Sequence, residues 1–504
     1  MLPTLSGMRL HEVDTGRLGA ALRAADYTVP AVTALLGPVG DAALRRNETV
    51  PGLRAATGAG PLATLTRLWP LQAAVPASDA DRALPGLVVP LCAAGVLEQS
   101  AGEVRARLDV RPYAADDADL WVLSDLTPGL SRRPVRTGTD YVLGVSQAST
   151  SLAQLTVRRP VDRALDLGTG CGVQALHLAG HSNQVVATDV NERCLEVTSF
   201  NAALNEVAVE VRAGSLFGPV ADERFDLVVT NPPFVISPGT GERLVYRDSG
   251  LPGDEIVRRV LTGAPRHLAP GGWCQVLANW VHPDEESWQE RIGGWLEGTG
   301  CDAWVVQREV VDPAQYVEMW LADAGLLGAA DYVERYDAWL AWFAEQRVDA
   351  VGFGWLNLRR TDRGEPGRQV LRFEEWPYEI EQPIGPEVLA WAQHTDLLDR
   401  LDDEGLFTSR LVRRSDVLQE TVGPPGAADP EVIVLRQQRG LRRAKQVDTV
   451  TAALVGAADG DLTAGRILDA IAQLLEREPA ALRAEYAVEL GDLVAEGFLA
   501  AGPE

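Results

Sequence analysis

Residues 135–362 predict an α/β fold, a mostly parallel seven-stranded sheet with helices on both faces, and three observations carry that reading. Short apolar runs alternate with helix-patterned segments, the order that crossover connections impose on parallel strands. The first run, Ala164-Leu165-Asp166-Leu167, enters a glycine-rich turn, Gly168-Thr169-Gly170-Cys171-Gly172, that opens a helix. The fourth run, Phe225 to Thr230, passes directly into Asn231-Pro232-Pro233-Phe234.

Ahead of this region, residues 1–134 read as a mainly helical domain. Apolar residues recur at helical spacing in Arg17 to Ala25 and in Pro61 to Ala74, and Pro61 suits a first helical turn. Leu84 to Leu97 is followed by the alternating run Val104 to Val110 and by Leu120-Trp121-Val122-Leu123. Helices followed by a two-stranded ribbon suggest a winged-helix-like unit, a candidate for substrate recognition.

Within the α/β region the second strand is Val185-Val186-Ala187-Thr188-Asp189, ending in an acid, and the third is Glu210 to Ala213, followed by Gly214-Ser215-Leu216-Phe217. The fifth is Trp273 to Asn279, after the turn signal Pro270-Gly271-Gly272. Trp304 to Arg308 and Ala350 to Asn357 are the sixth and seventh. Between these two lies an aromatic-rich segment, residues 311–347, with Tyr316, Trp320, Tyr332, Tyr336, Trp339 and Trp342. It is longer than a hairpin needs and reads as an inserted helical pair, either ordinary core or a wall over the site.

Residues 363–504 read as an α+β accessory domain: an irregular stretch with Pro377, Pro383 and Pro386, helical Glu387 to Leu406, a strand at Val432 to Leu435, and terminal helices within Ala464 to Leu475 and Ala480 to Leu499. The pattern of Leu493 to Leu499 echoes Leu91 to Leu97. Arg436, Arg439, Arg442, Arg443 and Lys445 form a basic run, a candidate phosphate contact or an internally paired face.

The 504 residues are 46% hydrophobic and 23% charged, enough for several packed cores. Five cysteines without a CxxC pair argue against a disulfide framework or zinc ribbon, and six histidines show no ligand spacing, so no metal is expected. No apolar run is long enough for a membrane span and the start lacks a secretion-type segment, so a reducing, cytoplasmic setting is expected. The net charge of −25 opposes nonspecific attraction to a polyanion, so a nucleic acid would have to meet a local patch.

A glycine-rich turn alone suits several nucleotide cofactors, but Asp166 entering it favours a ligand with a cationic amino group over a pyrophosphate. Asp189 stands where a carboxylate accepts ribose hydroxyls. Together these fit S-adenosyl-L-methionine. Methylating a planar nitrogen is difficult because its lone pair is delocalised. The Asn231 side-chain carbonyl and the Pro232 backbone carbonyl can accept its N–H bonds, Pro232 and Pro233 stiffen the loop, and Phe234 offers a face for stacking.

The stretch from about Val135 to Arg360 resembles a class I S-adenosylmethionine-dependent methyltransferase with a Rossmann-like fold, of the branch whose fourth strand ends in (Asn/Asp)-Pro-Pro-(Phe/Tyr/Trp). Its members include small-domain ribosomal RNA guanine-N2, adenine-N6 and release-factor glutamine-N5 methyltransferases. The resemblance implies that Asp166, Gly168, Thr169, Gly170 and Gly172 hold the methionine part, Asp189 the ribose, and the residue after the third strand the adenine. That position is usually acidic; here it is Ser215, beside Leu216, so either the Ser215 hydroxyl or the backbone would take the adenine. Asn231 lies between cofactor and acceptor. Ser149 or Thr150 would fold over the cofactor, and the loop Val235 to Pro252, with Tyr246-Arg247-Asp248, would meet substrate.

The expected activity is N-methylation of a macromolecule, with an exocyclic base amine of RNA or DNA as the leading acceptor and a glutamine amide of a translation factor as the alternative. A non-catalytic winged-helix DNA-binding module with a cofactor-sensing domain would need Asp189 but not the amine acceptors of Asn231 to Phe234.

Overall fold

The computed structural model describes residues 9–58, 60–115, 118–130, 140–239, 250–361, 363, 368–425 and 430–502. Tyr246, Arg247 and Asp248 lie outside these, as does the expected boundary near residue 135. By compactness the chain divides into two units: 1–153 with 159–375, and 154–158 with 376–504.

The first unit begins with helices α1 (Thr15–Ala24), α2 (Val29–Leu44), α3 (Val50–Ala55) and α4 (Pro61–Leu68), then β1 (Val75–Pro76), α5 (Ala77–Ala83), α6 (Val88–Ala93), β2 (Leu97–Ser100) and β3 (Glu103–Ala106). The three strands form a small sheet in the order β1-β3-β2. The run expected as one strand, Val104 to Val110, is broken at Arg107. The Val96 carbonyl accepts both Arg107 N–H (2.9 Å) and Leu108 N–H (3.1 Å), which pulls the chain out of the ladder. A second hairpin follows, β4 (Leu108–Ala115) and β5 (Ala118–Asp125), so the single expected ribbon is two.

The α/β part contains α7 (Gln147–Leu155), β6 (Val161–Leu167), α8 (Val173–Ala179), β7 (Ser182–Asp189), α9 (Glu192–Leu204), β8 (Glu210–Ala213), β9 (Phe225–Thr230), α10 (Glu255–His267), β10 (Leu268–Pro283), α11 (Trp288–Leu296), β11 (Cys301–Val311), α12 (Pro313–Asp323), α13 (Tyr332–Glu345), β12 (Val348–Arg360) and β13 (Leu371–Glu375). The sheet order is β13-β11-β12-β10-β9-β6-β7-β8. Every pairing is parallel except those of β12, which runs antiparallel to both β10 and β11. All seven expected strands are present. The sheet has an eighth, β13, in a stretch the sequence reading treated as irregular.

The core of this sheet joins β6, β9, β10, β11 and β12 to the apolar faces of α10 and α11 through residues such as Leu165, Val228, Val260, Leu261, Val276, Ile292 and Val305. A second core is shared. Leu176 of α8 and Val197, Phe200 and Leu204 of α9 pack with Leu18, Tyr27, Leu65, Val110 and Leu123 from the N-terminal helices and hairpins. Polar contacts fix the same contact surface. The Asn201 side chain accepts Leu123 N–H (2.8 Å) and donates to Leu123 O (2.9 Å), and Asn205 does the same for Trp121 (2.9 and 2.8 Å). Arg193 and Asp125, both nearly buried, form a bidentate ion pair.

The second unit contains α14 (Gly385–Arg400), α15 (Asp403–Thr408), β14 (Leu411–Arg413), β15 (Val417–Val422), β16 (Val432–Gln437), β17 (Ala444–Val447), α16 (Thr449–Ala457), α17 (Ala464–Leu474), α18 (Pro479–Ala495) and β18 (Leu499–Ala501). The echo between Leu91–Leu97 and Leu493–Leu499 is a shared local structure. Each segment ends a helix at a left-handed glycine, Gly95 (φ 84°) or Gly497 (φ 77°). Val96 N–H then returns to Leu91 O (2.9 Å), and Phe498 N–H to Leu493 O (2.8 Å), before a strand begins. The surroundings correspond as well: β3 is flanked by β1 and β2, and β14 by a bridge at Asp459 and by β18.

Candidate active site

Asp166 leaves β6 pointing into the turn. It is 1% exposed, and its Oδ2 accepts hydrogen bonds from Thr169 Oγ1 (2.6 Å) and from Ala175 N–H (3.0 Å) in the first turn of α8. Burial lifts this carboxyl to about 7, against the lowering effect of those two donors. The turn needs glycine for two different reasons. Gly172 (φ 83°) packs on Thr198 of α9, which a Cβ would meet at 2.9 Å. At Gly168 (φ 76°) and Gly170 (φ 58°) a Cβ would meet nothing within 4 Å, so these residues keep the backbone bare toward open space, as a closely approaching ligand requires.

Asp189, at the end of β7, accepts Gly170 N–H on Oδ2 (3.0 Å) and Asn191 N–H on Oδ1 (2.9 Å). Burial pushes its carboxyl upward as well. Gly214 N–H donates to Asp189 O (2.9 Å), which brings the third-strand loop beside it. There Ser215 is exposed, and Leu216 (φ 49°) is half-buried against the sheet core. The turn, Asp189 and the Ser215 loop therefore follow one another along the C-terminal ends of β6, β7 and β8.

The two serine and threonine candidates near α7 are engaged locally. Ser149 Oγ pairs with Ser146, Thr150 Oγ1 donates to Ser146 O (3.2 Å), and Gln174 of α8 donates to Ser149 O (2.7 Å), tying the start of α7 to the turn. Thr198 was not legible as a site residue. Its hydroxyl donates to Gly170 O (3.1 Å), and nothing in the sequence around it signals that contact.

β9 is adjacent to β6, and Thr230 Oγ1 donates to Leu167 O (2.7 Å), which sets Asn231 beside the glycine turn. Asn231 Oδ1 is buried and has no hydrogen-bond partner among the described residues. A buried amide oxygen left unpaired costs about 1–3 kcal/mol, a cost that a donor from a bound molecule would offset. Pro232 is buried, whereas Pro233 and Phe234 are half-buried.

The aromatic insert is mostly core. Tyr316, Trp320, Trp339 and Phe343 are buried around Val235 and Ile236, which follow the tetrapeptide, and Phe234 packs against them. Beside this core lies a cleft of about 530 Å³, lined in part by Gly253, Arg258, Arg259, Arg291, Trp295 and Trp342. Gly253 N–H donates to Ser237 O (3.2 Å), so the cleft adjoins the loop beyond Phe234. Arg258 and Arg259 share Glu255, and Arg291 pairs with Asp254, which leaves little net charge there.

The basic run of the second unit is paired in part. Arg436 pairs with Glu420 and Lys445 with Glu489 and Glu496, the Arg443 guanidinium lies 4.8 Å from the Trp376 ring centre, and Arg439 and Arg442 are exposed. The five cysteines are free thiols, no group of residues among those described could hold a metal ion, and no described helix is long and apolar enough to cross a membrane.

A family model described as the methyltransferase small domain matches residues 144–295, and one described as a domain of unknown function (DUF7059) matches residues 24–107. A release factor glutamine methyltransferase of Xylella fastidiosa is 33% identical over 38% of this chain and 72% of its own length. A ribosomal protein uL3 glutamine methyltransferase of Bradyrhizobium diazoefficiens is 38% identical, over 22% of this chain and 39% of its own. A ribosomal RNA small subunit methyltransferase C of Klebsiella pneumoniae is 30% identical, over 38% and 52%. The chain belongs to the class I S-adenosylmethionine-dependent methyltransferases, in the small-domain branch marked by Asn231-Pro232-Pro233-Phe234.

Proposed function

We propose that this protein methylates a planar nitrogen of a macromolecule, and the buried Oδ1 of Asn231, without a partner among the described residues, is the observation that carries the reading. S-adenosyl-L-methionine, when bound, supplies an electrophilic methyl group on a cationic sulfur. The chain's part is positioning. The open space over Gly168 and Gly170 receives the methionine end, with Asp166 and Thr169 beneath it. Asp189 takes the ribose hydroxyls through the lone pairs its two backbone donors leave free. Ser215 and Leu216 border the adenine. Asn231 Oδ1 and the Pro232 carbonyl accept the N–H bonds of the acceptor, holding its lone pair toward the methyl group, while Phe234 lies against its plane.

An exocyclic base amine remains the leading acceptor, supported by the helix-and-ribbon topology of residues 61–106 and by the likeness to a ribosomal RNA methyltransferase. A second reading, a glutamine amide of a protein, is supported by the likeness to two glutamine methyltransferases and by the ion pairs that engage Arg436 and Lys445 of the basic run. Both acceptors present the same N–H geometry to Asn231. Tritiated methyl transfer into a cell extract, followed by separate nuclease and protease treatment, decides between them. Label lost to nuclease supports the base amine; label lost only to protease supports the amide. No transfer to either fraction by active-cofactor protein contradicts the proposed activity.

A further inference from the structure

The peptide beyond the tetrapeptide is gripped at both of its polar groups by the helical insert. Ile236, fully buried, donates its N–H to Tyr316 Oη at 2.9 Å, and its carbonyl accepts Trp339 Nε1–H at 3.0 Å. Tyr316 lies on α12 and Trp339 on α13, so each insert helix holds one side of the same residue. Tyr316 Oη also accepts Asn279 Nδ2 (3.1 Å) from β10, the neighbour of β9 in the sheet. One turn along α12, Trp320 meets the Phe234 ring edge-on at 6.2 Å between centroids. At the other end of the loop, Thr230 is fixed to Leu167. The chain from Asn231 to Ile236 is therefore anchored at both ends with two prolines between.

We propose that Tyr316, with Trp339, is a positioning residue for methyl transfer: the insert holds Ile236 so that Asn231 Oδ1 and Phe234 stand in register with the acceptor nitrogen. The inference rests on the acceptor role of Asn231 given above. Tyr316 touches neither cofactor nor acceptor; it acts through the peptide of Ile236. A shift of the acceptor groups by a fraction of an ångström costs reaction rate while leaving the cofactor turn at the end of β6, which Asp189 and Thr198 hold through Gly170, as it was. The insert thus belongs to the acceptor half of the site.

The test uses the full-length protein, S-adenosylmethionine titrated calorimetrically, and single-turnover transfer of tritiated methyl to the RNA and protein of a cell extract. Tyr316→Phe keeps the ring in its aromatic core and removes only the hydroxyl. Its transfer rate is expected to fall roughly 10- to 100-fold, with cofactor affinity within about twofold of the parent. Trp339→Phe should do the same. The double variant should be little worse than either single one, because both act through one peptide. Tyr336→Phe, on the same helix pair but bonded to the surface carboxylate Glu318, should transfer at the parent rate. A folded Tyr316→Phe protein at full rate overturns the proposal, as does a loss of cofactor affinity in step with rate. Asn231→Ala separates the two ideas: if it retains full transfer, the acceptor reading fails; if it loses transfer while Tyr316→Phe does not, only the positioning role fails.

Discussion

Asp189 Oδ2 accepts the Gly170 N–H at 3.0 Å, so the carboxylate assigned to the ribose also fixes the glycine turn assigned to the methionine end. On that assignment one group would hold both ligand and loop. Asp189→Ala removes both the ribose acceptor and the brace, and S-adenosylmethionine should bind roughly 10- to 100-fold more weakly, the worth of one or two hydrogen bonds to a charged acceptor. Calorimetric titration measures this. Unchanged affinity would remove Asp189 from the cofactor site.

The Asp166 carboxyl, lifted to about 7 by burial, makes stability and binding depend on pH in opposite directions. In the free protein the folded state holds its proton more tightly than the unfolded chain does. Its contribution to stability is therefore present at low pH and is lost as pH rises from about 4 through about 7. A bound ammonium favours the carboxylate instead, so S-adenosylmethionine affinity should increase between pH 6 and pH 8. Calorimetry in buffers of differing ionisation heat should show proton release on binding near pH 6. Asp166→Asn should flatten the pH dependence of both thermal midpoint and affinity.

Arg193 and Asp125 join α9 to the end of the β5 hairpin with both side chains nearly buried, and Asp125 Oδ2 also accepts Val142 N–H at 2.7 Å. Arg193→Ala leaves that carboxylate buried without its cation and should destabilise the first unit by about 3–5 kcal/mol, read from the denaturant midpoint. Replacing the pair together, Arg193→Met with Asp125→Asn, keeps an acceptor for Val142 and should recover part of the loss.

The parts of the fold that follow from local pattern were readable in the chain. Buried parallel strands are continuous apolar runs, and the tetrapeptide and both acids lie at strand ends that such runs mark. β13 was missed because an edge strand need not be apolar. Its Arg372, Glu374 and Glu375 are charged, and it is held by Phe373 against Trp288 and by Trp304 Nε1 donating to Glu374. The break at Arg107 depends on Val96, eleven residues earlier, and so leaves no mark on the alternating pattern. The bonding of Asn201 and Asn205 to the β5 backbone spans 78 to 84 residues, and two amides four apart, one on α9 and one capping its end, look like ordinary surface. Asn231 and Asp189 stand out in the sequence as motif and position. The bonds of Thr198, Tyr316 and Trp339 leave no such mark, since each reaches a backbone group far away in sequence.

The central claim is that Asn231 accepts the N–H of the methylated nitrogen. Single-turnover transfer from tritiated S-adenosylmethionine by Asn231→Ala, alongside calorimetric binding of the cofactor, tests it most directly. A rate at least about 100-fold below the parent with cofactor binding within about twofold is the predicted result. Full transfer by the variant would contradict the account.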